Sequence, residues 1–140
     1  MGTTDEVIRL AQFSATHIEQ LHALYQNEWW SRGRTLEQTQ KIVAGSALNF
    51  GFVSRDTDEL VAYTRVLSDF VIKVCIYDVI VRPDFRKHKL GARLIEAVLS
   101  HPALVEVKHF ELSCLPDVEP FYARWGFKSD LGALRLMRRD

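Results

Sequence analysis

Cysteine is scarce in this chain. Cys75 and Cys114 are its two thiols, too few for a disulfide framework, and lone thiols in expected strands fit a reduced compartment, so cytoplasmic residence is expected. Long apolar runs are missing as well. No segment approaches the roughly 20 apolar residues that a membrane span needs, and no membrane partner is expected. Net charge is absent: Lys plus Arg equal Asp plus Glu at 18 each, leaving no global field to draw nucleic acid. The five histidines show no convergent metal-ligand spacing. His17 and His22 share an expected helix but miss the i, i+4 pairing of a helical zinc site, so no metal is expected. Repeats, linkers and low-complexity segments are also lacking.

What is present is an ordinary globular composition, 47% hydrophobic and 26% charged over 140 residues, enough for a single domain spanning 1–140. Val7 to Phe13 alternates as a strand. Thr16-His17-Ile18-Glu19 has the spacing of a capping box ahead of a helix, and Thr35-Leu36-Glu37-Gln38 opens a second helix toward Ala44. Leu48 to Ser54 and Leu60 to Leu67 are β-like runs across the turn-forming Arg55-Asp56-Thr57-Asp58. Val71 to Val81 is a longer β-rich run, Leu90 to Leu99 returns to helical periodicity, and Lys108 to Cys114 is another strand. Asp117 is a plausible N-cap for a short helix with Pro120 in its first turn. The tail from Phe127 to Arg139 predicts one or two final strands. The sum is β-α-α-β-β-β-α-β-α-β(-β), an α/β (α+β) fold with a mixed central sheet flanked by helices.

Positive charge matters only where it is concentrated. Arg82, Arg86, Lys87, Lys89 and Arg93, with His88, face Asp84 alone in the segment from Arg82 to Arg93. A β-branched strand, a basic loop and a helix start follow one another there. Unpaired amides in a first helical turn, with the positive end of the helix dipole, make such a junction a site for a polyanion.

The element order, this strand-loop-helix and the later Phe121-Tyr122-Ala123-Arg124-Trp125-Gly126-Phe127 together resemble the GCN5-related N-acetyltransferase (GNAT) family over essentially the whole chain. That family's acetyl-CoA signature is Arg or Gln, two residues, Gly, one residue, then Gly or Ala. Here Arg86 and Gly91 match, and Lys89 stands where the first glycine would be. The resemblance implies that Arg86, Lys87, His88, Lys89, Leu90, Gly91 and Ala92 hold the coenzyme's pyrophosphate, and that the backbone of Val79, Ile80 and Val81 pairs with its pantetheine arm. Homodimerisation is a family-level expectation.

The resemblance also implies direct transfer of acetyl to an amine, with no acyl-enzyme. Tyr122 is then the acid for the departing thiolate, its other reading being a helix tyrosine packed on the core. An oxyanion would be met by a main-chain N–H near Val79 or Ile80. Asp78 and Asp69 are the candidate bases; alternatively Asp78 pairs with an arginine such as Arg65, and Asp69 caps a turn. Trp29 and Trp30 are the candidate acceptor contacts, one of the two adjacent indoles lining the pocket mouth or supporting a subunit contact. With Glu28 and Asp69 expected nearby, they suit a small primary amine with an apolar or aromatic portion. Two other functions stay open: a catalytically silent CoA-binding regulatory domain, and an acetyltransferase for protein or peptide amines. A nucleic-acid-binding module fits the neutral charge poorly.

Overall fold

The computed structural model describes residues 6–140. In chain order they form β1 (Val7–Leu10), α1 (Ala15–Gln26), α2 (Leu36–Gly45), β2 (Leu48–Ser54), β3 (Leu60–Ser68), β4 (Lys73–Val81), α3 (Leu90–Ser100), β5 (His109–Glu111) and α4 (Glu119–Ala123), with 3-10 turns at Pro83–His88 and Pro116–Val118. The strands make one sheet in the order β1-β2-β3-β4-β5. Neighbours are antiparallel from β1 to β4, and β5 joins β4 in parallel.

Each face of the sheet carries its own apolar layer. Val61, Val66, Val74 and Ile76 meet Leu94, Ile95 and Val98 of α3 on one side; Val53, Tyr63 and Ile80 meet Leu21, Leu24 and Tyr25 of α1 on the other. Side chains two or four apart on a regular strand share a face. Ile76 and Ile80 do not, so β4 must change phase between them. It does so at Asp78, whose φ is 59°. Tyr63 pairs with Ile80 and Arg65 with Tyr77, leaving Thr64 opposite both Asp78 and Val79. That count, two residues against one, defines a β-bulge.

Several local boundaries differ from expectation. Helix α1 is capped by Ser14, not Thr16: Ser14 Oγ accepts from the His17 amide, and His17 Nδ1 accepts from the Ser14 amide. The second box is as expected, with Thr35 and Gln38 reciprocally bonded. Strand β1 ends at Leu10 rather than Phe13, because Phe13 turns onto the sheet. A Cβ on Gly51 would lie 2.8 Å from its ring, so that glycine is what admits it. Asp117 caps nothing; Val118 precedes α4 without a side-chain cap. The tail forms neither expected strand. Leu136 and Met137 are 83% and 91% exposed, so no sheet neighbour buries the pattern that suggested them.

Candidate active site

The bulge at Asp78 lies just beyond the end of the β4–β5 pairing at Cys75. Lys73 to Cys75 align with His109 to Glu111, and beyond Cys75 no described strand covers the outer edge of β4. The Arg82 amide donates to the Val61 carbonyl at 2.8 Å. Main-chain groups of successive strand residues face alternate edges, so Ile80 turns its amide toward β3, while Val79 and Val81 turn theirs to the open edge. Of the three residues expected to pair with an extended ligand, two are so placed. Ile80 instead sits in the α1-side core.

Four groups hold the bulge. Asp78 Oδ2 accepts from Arg65 Nε at 2.7 Å, Arg34 Nη1 at 2.9 Å and the Tyr25 hydroxyl at 2.9 Å, while Thr64 donates to the Tyr77 carbonyl at 2.8 Å. The Asp78 side chain is 6% exposed. Burial pushes its carboxyl up, but hydrogen bonds and charges from Arg34 and Arg65 outweigh that and hold it below the usual carboxylate range. A carboxylate so engaged is a poor proton acceptor and a good anchor. Arg34 also lies over the rings of Tyr25 and Trp30, at 4.5 and 5.6 Å. Arg34 and Tyr25 are site residues that the sequence does not single out.

At the end of β4 the chain enters the basic loop. Arg82 is withdrawn from it by ion pairs to Asp84 at 2.7 Å and Glu59 at 2.8 Å. Lys89 takes φ 56° and ψ 34°, the left-handed conformation that a glycine would adopt freely, at a cost of about 1–2 kcal/mol. The non-glycine residue at this position thus takes the left-handed conformation at the cost of strain. No side chain caps α3, so its first amides stay available to an anion. Beside them a cavity of about 420 Å³ is lined by His88, Lys89, Ala92, Arg93, Glu96, Arg124 and Trp125.

The two family motifs meet in space. The Phe121 ring lies where a Cβ on Gly91 would touch it at 3.4 Å, and this seats α4 against the start of α3. Tyr122 packs against the same core layer as Val79 and Val81, between the rings of Phe121 and Phe127 at 4.9 and 6.2 Å. Burial, helped by Cys114 nearby, pushes its hydroxyl up to about 12. No described residue hydrogen-bonds to it.

Asp69 lies elsewhere. Its Oδ1 accepts from the amides of Val71, Ile72 and Lys73 at 2.9, 2.8 and 3.2 Å, closing the β3–β4 turn, and those bonds hold its carboxyl low. Trp30 stacks edge-on to Tyr25 at 6.4 Å. Trp29 is 70% exposed. Glu28, in the same loop, reaches Arg86 of the basic loop at 3.6 Å.

An open strand edge followed by an uncapped helix start is a specific arrangement. Residues 12–136 match the acetyltransferase (GNAT) domain family. The chain belongs to the GNAT acetyltransferase family. Among GNAT relatives, the uncharacterized N-acetyltransferase ycf52 of Pyropia yezoensis is 26% identical over 125 residues, 88% of this chain and 71% of that protein. A GNAT-family structure from Xanthomonas campestris pv. campestris superposes with TM-score 0.84 at 31% identity, over 96% of this chain and 93% of that one. An acetyltransferase from Trypanosoma brucei shares the GNAT fold at TM-score 0.71 and 19% identity, over 96% of this chain and 98% of its own. The expected fold class is therefore observed, and GNAT membership implies acetyl-CoA as co-substrate. No helix among the described residues is long and apolar enough to cross a membrane.

Proposed function

We propose that this GNAT enzyme moves the acetyl group of acetyl-CoA directly onto a primary amine of a small molecule with an apolar or aromatic portion. The observation that carries the proposal is the open edge of β4 at Val79 and Val81, followed through the Pro83–His88 turn by the uncapped first turn of α3. An extended arm with its own amides adds to such an edge as a strand does, and a pyrophosphate suits the helix start that follows. Coenzyme A carries those two parts in that order. Arg86, Lys87 and Lys89 supply cations to the phosphates, and the cavity lined by His88, Arg93 and Arg124 suits the nucleotide end.

For the transfer itself, the chain must stabilise an oxyanion and a leaving sulfur. The Val79 amide, fixed by the bulge and turned outward, is the oxyanion donor. The Tyr122 hydroxyl, unengaged and protonated at neutral pH, donates to the sulfur. An alkylamine is almost wholly protonated at pH 7, its pKa being about 10.4, so its proton must pass to another group or to water before attack. Asp78 and Asp69 are already bound within the protein, and we assign them to positioning the bulge and the β3–β4 turn. The exposed indole of Trp29 gives the acceptor an apolar contact.

Thiol release from acetyl-CoA, measured across phenethylamine, tryptamine, a diamine and a lysine-containing peptide, tests the proposal. Faster turnover with an aryl- or alkylamine than with the peptide is the expected result. Faster turnover with the peptide would transfer the assignment to protein amines. Melting raised by acetyl-CoA with no thiol release from any amine would make the chain a silent coenzyme-binding domain.

A further inference from the structure

Glu28 stands at the point where the acceptor loop meets the coenzyme loop. Its amide donates to the Tyr25 carbonyl at 3.4 Å, and its own carbonyl accepts from the Ser31 and Arg32 amides at 3.2 and 2.9 Å. The backbone is therefore tied on both sides, and the side chain has one fixed origin. Its carboxylate is 22% exposed and lies 3.6 Å from Arg86 Nη2, an ion pair too long for a good hydrogen bond. The strongly exposed Trp29 follows directly.

The other candidate carboxylates are bound by groups outside the coenzyme loop. Asp78 is bound by Arg34, Arg65 and Tyr25, and Asp69 by three turn amides. Glu28 differs because its counterion belongs to the phosphate loop. A guanidinium makes short, charge-assisted and often bidentate bonds to phosphate, which a 3.6 Å contact cannot match. Once Arg86 turns to a phosphate, Glu28 is left partly desolvated without a counterion, a state that favours a new cation.

We propose that Glu28 is the carboxylate that binds the acceptor's ammonium, masked by Arg86 until the coenzyme draws that guanidinium away. The proposal rests on the acetyl-CoA assignment above and adds a coupling between the two substrates. Coenzyme binding raises acceptor affinity, and by linkage the acceptor raises coenzyme affinity by the same factor.

The test compares wild type, Glu28→Gln and Glu28→Asp by calorimetric titration with CoA and by steady-state kinetics with the fastest amine of the panel. In Glu28→Gln the KM for the amine is expected to rise about tenfold or more, as for loss of one charge-assisted contact, with kcat changed less than about threefold. CoA affinity should hold or tighten, since Arg86 has lost its competitor. Glu28→Asp keeps the charge and should restore part of the amine affinity. Weaker CoA binding by Glu28→Gln, or an unchanged amine KM, overturns the proposal by making Glu28 a brace of the loop. Absence of CoA binding by wild type is a separate result, which removes the coenzyme assignment itself.

Discussion

Replacing Asp78 with alanine is expected to lower the unfolding free energy by about 3–5 kcal/mol, the usual cost of removing one partner from a buried ion pair. Arg34 and Arg65 would face each other across the vacated position, and the Tyr25 hydroxyl would lose its acceptor. Asn, which keeps the shape and some hydrogen bonding, should cost less. Denaturant titration measures both. The pH dependence has a definite sign. The folded-state pKa of Asp78 lies below its unfolded value, so its contribution is complete above the unfolded pKa, about 3.9, and is lost as pH falls through the folded value. The stability gap between wild type and Asp78→Asn should thus be constant above pH about 5 and shrink on acidification below about 4. If Asp78 were instead the base, Asp78→Asn would lower turnover by about a hundredfold or more with little loss of stability. We expect the reverse: a clear stability loss and, well below the melting temperature, less than a tenfold fall in kcat/KM, about 1.4 kcal/mol.

Tyr122→Phe is expected to lower kcat by about a hundredfold, at the lower end of what general acids contribute, while leaving coenzyme affinity unchanged. Phe keeps the ring contacts with Phe121 and Phe127; only the hydroxyl goes. The modest size follows from acidity. Burial raises Tyr122 to about 12, whereas a thiol ionises near 8.5. Complete proton transfer to the departing thiolate is therefore uphill, and the hydroxyl acts mainly by hydrogen-bonding the sulfur as charge develops. Steady-state kinetics of the variant checks the magnitude. The wild-type pH profile provides a second check: no downturn from Tyr122 should appear up to pH about 10, well below its raised pKa.

The fold was legible where one local pattern dominated. Leu48–Ser54 and the Thr35–Gln38 cap lie where the β-like run before a turn and the capping chemistry placed them. Ser14 was missed because His17 fills the reciprocal position usually held by Glu or Gln, and the nearby Thr16 to Glu19 spacing fits the usual template better. The last strands failed for another reason. The Leu134–Met137 pattern suits a strand, but a strand also needs a neighbour, which spacing along one segment cannot supply.

At the site, the strand, basic turn and helix start were readable because they are contiguous in sequence, from Val79 to Ala92. The bulge was not. It depends on Arg34, Arg65 and Tyr25 converging on Asp78 from a loop, a strand and a helix, and no single window of sequence contains that convergence. An aspartate inside an apolar strand was still a true signal, since a buried carboxylate must be paired or costly. It marked a residue that the structure pairs with Arg34, Arg65 and Tyr25, and that pairing is the reason we assign it to positioning.

Amide-resolved NMR during a CoA titration tests most directly whether the open edge of β4 and the start of α3 form one coenzyme site. Saturable shifts centred on Val79, Val81 and Lys89 to Ala92, with Ile80 and the β3–β4 turn at Asp69 little changed, are the expected result. Shifts confined to other surfaces, or no saturable binding, would contradict it.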